Sequence, residues 1–305
     1  MKHTVWITLI LVGVFFVSQI VGLAILNEAM PKKIDAQTGE YVLQNVTELP
    51  SGFERPQFES SWQAISFIIT AVLIGTFALL ILIKFRAFTA WKFWFFASVA
   101  LCLNFSFYAG LHYFTSWKAL ISVISLTSAI LLAYLKIYKP NFFIHNFTEI
   151  FVYGGLATIF VPIEFFNIYV ATMILLLISV YDMIAVWQSK HMVKMAQFQT
   201  ESKVFAGISI PYQIPKGGKA VEGKGRKVKE EIKSAILGGG DIGFPLLFAG
   251  VLMKSMSFAK VLIVPIVVSL ALLLLLLMAK KDKFYPAMPF ITIGCFVGYG
   301  ILWLI

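Results

Sequence analysis

Residues 167–188 read NIYVATMILLLISVYDMIAVWQ, a run whose single charged residue, Asp182, stands near its C-terminal end. At about 1.5 Å rise per residue, such a run forms a helix that matches the roughly 30 Å hydrocarbon core of a bilayer. Working outward, runs of the same kind recur at about 4–26, 62–83, 91–112, 117–135, 149–163, 236–253, 258–279 and 285–305. Together with 167–188 they predict an all-α, polytopic membrane protein with nine transmembrane helices. The fifth run is the shortest and ends on Pro162 and Glu164; the seventh is broken by glycines and Pro245. The first follows Lys2 as a signal peptide would, but its apolar stretch exceeds the roughly 7–15 residues of a signal-peptide core, so it is expected to stay as a helix.

Composition agrees. Of 305 residues 59% are hydrophobic and 13% charged, against about 25% charged in a soluble domain. The formal net charge is +10, which raises the question of nucleic acid. The basic residues lie between the apolar runs, however, where a membrane protein uses them for orientation, so no nucleic-acid partner is expected. Cys102 and Cys295 both fall inside runs and read as free thiols. His3, His112, His145 and His191 lack ligand spacing, and no metal or cofactor is expected.

With the N-terminus inside, 19 of the 25 lysines and arginines fall on the inner side and 6 on the outer. The positive-inside rule then places the N-terminus in the cytoplasm and the C-terminus outside. The first outer loop, about 27–60, carries six acids against three bases, and its Asn45-Val46-Thr47 is a weak glycan signal. The chain divides into spans one to five (1–165) and six to nine (166–305), the latter interrupted by an inner loop at about 189–235. In that loop Met192, Met195 and Phe198 suit a helix lying on the membrane surface. A short apolar stretch, Phe205 to Pro211, follows, and the glycine- and lysine-rich segment 216–229 reads as disordered. No internal repeat of the transporter kind is present.

Chemistry concentrates in a few residues. Asp182 lies late in span six, which runs inward, and Asp241 lies early in span seven, which runs back out. Both therefore sit in the inner third of the bilayer. A carboxylate there costs at least about 2.5–3.5 kcal/mol, which marks it as functional by default. A single such aspartate is as readily a polar contact between helices; two at matched depth on consecutive spans favour a site. Asp241 stands in Gly238-Gly239-Gly240-Asp241-Ile242-Gly243. Glycines cost a helix about 1 kcal/mol each relative to alanine, and their bareness lets another backbone approach. Pro245 removes the amide that would bond the Asp241 carbonyl. Pro286-Ala287-Met288-Pro289 opens span nine at the same face, as a helix start or as the wall of a groove.

These motifs resemble the presenilin and signal peptide peptidase family of intramembrane aspartyl proteases. Tyr181-Asp182 looks like the family's Tyr-Asp motif, Gly238-Gly239-Gly240-Asp241 like its Gly-x-Gly-Asp motif, and Pro286-Ala287-Met288 like its Pro-Ala-Leu motif with methionine in place of leucine. The motif-bearing likeness covers about 165–305, and Pro289 with the N-in topology resembles presenilin in particular. The resemblance implies an aspartic endopeptidase with Asp182 and Asp241 as the catalytic pair. Tyr181, Gly238, Gly240, Pro286, Ala287 and Met288 would line or support the site. The implied substrate is the transmembrane helix of a single-span protein, which unwinds and pairs as a strand near the glycines and the Pro-Ala-Met segment. A compact, multi-pass microbial homologue in the cell membrane, working without accessory subunits, is the expected form. Two carboxylates at close range share one proton and activate a water between them.

Three rival readings remain at this level. Intramembrane aspartates also carry protons or cations through transporters and leak channels, although the outer halves of spans six and seven are almost purely apolar. Prepilin and preflagellin peptidases share a Gly-x-Gly-Asp motif but cut close to the membrane surface. A non-catalytic chaperone of membrane helices is the third. The stretch Phe205 to Ile210 is the sequence's candidate for a segment that blocks the site.

Overall fold

The computed structural model describes residues 5–35, 41–43, 49–187, 198, 204–214, 231–279 and 285–304. Its helices are α1 Val5–Ala29, α2 Ser61–Lys84, α3 Phe88–His112, α4 Lys118–Tyr138, α5 Phe142–Phe160, α6 Ile168–Trp187, α7 Gly239–Leu252, α8 Phe258–Val261, α9 Ile263–Met278 and α10 Met288–Leu304. Among the described residues, six segments are long and apolar enough to cross a membrane: α1, α2, α3, α4, α6 and the continuous Phe258–Met278. α7 and α10 are shorter apolar helices. At about 1.5 Å per residue, the 14 residues of α7 fall short of the hydrocarbon thickness.

The all-α expectation needs correction. Among the described residues are four strands in two antiparallel pairs, β1 (Lys32–Ile34) with β2 (Tyr41–Leu43) and β3 (Gly207–Ile214) with β4 (Glu231–Gly238). The second pair falls in the middle and at the C-terminal end of the expected inner loop, taking up Gly207 to Pro211 of its apolar stretch and the first residues of expected span seven. Its alternation explains the pattern: Ile208, Ala235 and Leu237 are buried while Ile236 is exposed, the period of two of a half-buried strand. Segment 216–229, the Asn45-Val46-Thr47 tripeptide, Met192 and Met195 lie outside the described residues. Phe198 is helical and buried, stacked on Phe88 at 5.0 Å between ring centroids.

A second correction concerns span five. Asn141 caps α5 by accepting from the Phe143 amide at 2.8 Å, so the helix starts at Phe142, well before the expected 149. Glu149 is thereby carried to mid-helix. Lys136, expected in an inner loop, belongs to α4 and is 3% exposed.

α1 and α5 form the axis on which the C-terminal helices pack. Leu246 of α7 lies on Gly22 of α1, and Leu26 of α1 lies on Gly250, so α1 and α7 run parallel. α5 follows the same direction, with Tyr153 against Gly239 and Val161 against Gly250. α10 runs antiparallel to α9, its Gly294 and Gly298 resting on Val268 and Val264. Lipid gives no hydrophobic drive between helices, and close approach of small residues supplies the packing. Gly155 is the tightest case, because a Cβ there would lie 1.8 Å from the Cys102 carbonyl oxygen of α3.

Candidate active site

α6 packs against both α7 and α10, and this brings Asp182 and Asp241 together. The two carboxyl groups lie close enough for their charges to interact. Asp182 is 8% exposed and lies one turn from the end of α6. Its Oδ2 accepts from the Met288 amide at 3.1 Å, and the Ala287 amide faces the same carboxylate. Met288 is the first residue of α10, so the positive end of that helix points at Asp182.

Asp241 is the third residue of α7. Its carboxylate reaches back to the amide of Gly238, the N-cap residue, in the manner of the acidic half of a capping box. Each aspartate therefore sits at a helix N-terminus: Asp241 at that of its own helix, Asp182 at that of α10. Both N-termini present backbone donors to negative charge. β4 runs straight into α7, and the pairing of β3 with β4 extends one step further, since the Gly239 amide donates to the Ala206 carbonyl at 3.2 Å. The start of the Asp241 helix is thus fastened to a two-stranded sheet.

The residues marked from sequence fall into distinct positions. Pro286 and Met288 are buried, and Ala287 packs against the main core beside Asp182. Gly240 is exposed, and a Cβ there would meet only Phe244 at 3.5 Å, so its bareness faces open space. Gly238 lies beside the Asp241 carboxylate; a Cβ there would be 3.4 Å from Oδ2. The glycine that packing requires is Gly239, where a Cβ would lie 2.7 Å from the Tyr153 hydroxyl oxygen. The Tyr181 hydroxyl meets Thr76 Oγ1 of α2 at 3.2 Å, tying α6 to its outlying neighbour.

Sequence reasoning missed several polar residues around the pair. Ser179 Oγ and Thr292 Oγ1 meet at 2.7 Å, a buried rung between α6 and α10 one turn beyond Asp182 and Met288. Gln19, 1% exposed on α1, donates from Nε2 to the Ile242 carbonyl at 2.8 Å, beside the backbone that Pro245 disturbs. Glu149 and Lys136 form a buried ion pair, and the Tyr153 hydroxyl also donates to Glu149. The signal for that cluster was present in the i, i+4 spacing of Glu149 and Tyr153. It went unread because Glu149 stood at the presumed edge of a span. Among the described residues, no group of His, Cys, Asp and Glu could hold a metal ion.

A helical bundle with several segments long and apolar enough to cross a membrane, and two neighbouring aspartates at helix ends, defines a multi-pass integral membrane protein with an acidic site. The sequence profile of the signal-peptide peptidase, presenilin aspartyl protease family matches residues 39–305, and the chain belongs to that family. No curated protein sequence matches it significantly. Among solved structures, a presenilin family intramembrane aspartate protease in a C222 space group is similar at 17% identity and TM-score 0.62, covering 97% of this chain and 98% of that one. A presenilin family intramembrane aspartate protease in a P2 space group is similar at 16% identity and TM-score 0.60, with 96% of each chain covered. At these identities the likeness is one of fold.

Proposed function

We propose that the protein is an intramembrane aspartyl protease of the Gly-x-Gly-Asp type, in which Asp182 and Asp241 together activate one water for attack on a peptide bond of a transmembrane helix. The observation that carries this reading is the convergence of two helix N-termini on two aspartates contributed by α6 and α7. A peptidase of this kind needs one ionised carboxylate to take a proton from water and one protonated carboxyl to donate to the scissile carbonyl. Met288 and Gly238 amides hold the two side chains in place without contributing a competing acid or base. The open face at Gly240 leaves room for an unwound substrate backbone, and β4 offers a strand to pair with it. Pro286, Ala287 and Met288 wall the site and orient Asp182.

The nine-span, N-in topology fits the same reading. Odd-numbered spans α1, α5 and α7 run parallel, as alternation across a bilayer requires. Substrates entering such a site are single-span proteins with their N-terminus outside, and the compact chain acts without accessory subunits. A hydroxyl-bearing transition-state mimic of aspartyl proteolysis tests the assignment in detergent. It should block cleavage of a transmembrane-helix reporter and raise the unfolding temperature of the wild-type protein but of neither Asp182→Ala nor Asp241→Ala. Equal thermal protection of all three proteins would show that the mimic binds elsewhere and would remove the dyad from the account.

A further inference from the structure

One cluster lies outside the site just described and is built from residues no catalytic step uses. Lys136 of α4 and Glu149 of α5 form an ion pair, with relative side-chain exposures of 1% and 2%. Glu149 Oε1 takes the lysine; Oε2 accepts from both the Tyr153 hydroxyl and the Gly207 amide, the latter at 3.0 Å. The same helix face supplies two more clamps. His145 Nε2 donates to the Gly207 carbonyl at 2.8 Å. Asn146 donates to the Ser209 carbonyl at 2.9 Å and accepts from the Ser209 amide at 3.0 Å. The β3 edge that faces α5 is thereby closed at Gly207 and Ser209 by three side chains, while its other edge pairs with β4.

Gly207 is opposite Gly238 in the register, and Gly238 is the N-cap of the Asp241 helix. Tyr153, whose hydroxyl bonds Glu149, lies against the neighbouring Gly239 and, one turn on, within 3.5 Å of where a Gly243 Cβ would be. Glu149 thus touches the start of α7 by two routes: through β3 and its pairing to β4, and through the tyrosine ring. A buried ion pair is a costly way to gain stability, because its desolvation offsets much of its attraction. Its cost is understandable where a fixed acceptor must hold two donors at once.

We infer that Glu149, neutralised by Lys136, is a positioning residue for Asp241: it seats β3 and Tyr153 so that the first turn of α7 holds its aspartate at the dyad. The inference rests on the protease reading for its kinetic consequence but not for its structural one, so two measurements separate them. The variant Lys136→Met/Glu149→Leu removes the acceptor while leaving an apolar pair of similar bulk that packs in its place. Amide hydrogen exchange of the folded protein in detergent should rise at least tenfold in peptides covering 205–211 and 236–243, and stay within twofold in α9 and α10. Tyr153→Phe, which keeps the ring, should raise exchange only over 236–243. On a transmembrane-helix reporter, kcat of the double variant should fall tenfold or more with KM within threefold, since alignment rather than binding is lost. Unchanged exchange at both segments overturns the inference, as does raised exchange with an unchanged kcat. A wild-type protein that cuts no reporter sinks the protease reading alone, and exchange then still decides whether Glu149 holds the hairpin.

Discussion

Gly207→Ala should disable the enzyme more than it unfolds it. Gly207 has φ of +131°, a conformation that L side chains rarely adopt, and a Cβ there would lie 2.0 Å from the Leu237 carbonyl oxygen. That oxygen belongs to the backbone of the paired strand and cannot rotate away. Strain at such a φ costs about 1–3 kcal/mol and forced overpacking about 1–3 more, so the seated hairpin end loses about 2–6 kcal/mol relative to an opened one. At about 1.4 kcal/mol per factor of ten, that shifts the ratio of seated to opened hairpin roughly 30-fold or more. Opening at Gly207 releases the Gly239 amide from Ala206 and frees the turn that carries Asp241. The bulk of the helical packing, centred on α1 and α5, is untouched. The expected result is a kcat on a transmembrane-helix reporter reduced at least tenfold, with an unfolding temperature lowered by only a few degrees. Gly75→Ala in α2 is the matched control, because a Cβ there meets nothing within 4 Å. Its cleavage rate should equal wild type. A Gly207→Ala protein with full kcat would refute the argument that the hairpin aligns Asp241.

Gly155→Ala should be far more damaging to folding, since its Cβ would sit 1.8 Å from Cys102 backbone; thermal unfolding in detergent against Gly110→Ala, which has open space, gives the comparison, and similar midpoints would contradict the α3–α5 packing. Gln19→Leu removes the donor to Ile242 and should cost about 1 kcal/mol of stability plus a measurable loss of kcat, read from chemical unfolding and reporter cleavage. Ser179→Ala with Thr292→Val deletes the rung beside Asp182 and should cost about 1 kcal/mol, with kcat falling more than KM rises; an unchanged kcat would leave the rung purely structural. Outside the spans, Lys254 donates to the Ile163 and Phe166 carbonyls at 2.6 and 2.9 Å, and burial lowers its pKa from 10.5 to about 8. The folded state then binds fewer protons than the unfolded one between those values, so stability rises with pH across that window. The unfolding temperature of wild type minus that of Lys254→Met should therefore grow from about pH 8 to about 10.5, and a flat difference would contradict it.

What the sequence made legible was set by the bilayer. Apolar length located the helices because hydrocarbon demands it, and Asp182 and Asp241 stood out because charge inside such runs is costly. The hairpin escaped for a local reason: β4, Glu231–Gly238, ends in the apolar Ala235-Ile236-Leu237-Gly238, which joins α7 without a break in hydropathy. The partner strand β3 contains Pro211, which weakens any strand reading of that stretch. Likewise, Lys136 and Glu149 look like loop and span-edge charges until Asn141 is recognised as the N-cap of α5. The packing role of Gly239 escaped because no pattern in Gly238-Gly239-Gly240 tells which one meets a tyrosine hydroxyl. The partner of the Tyr181 hydroxyl could not be read from sequence, since Thr76 stands on a separate helix packed beside it.

The proposed function makes Asp182 and Asp241 one catalytic unit acting on a peptide bond inside the membrane. Its most direct test is mass-spectrometric mapping of a single-span reporter incubated in liposomes with wild type, Asp182→Asn or Asp241→Asn, each of which preserves side-chain shape. Wild type should yield new termini within the membrane-embedded segment, and both variants should yield none. Cleavage at the wild-type rate by either variant, or cuts confined to the reporter's soluble flanks, would contradict the account.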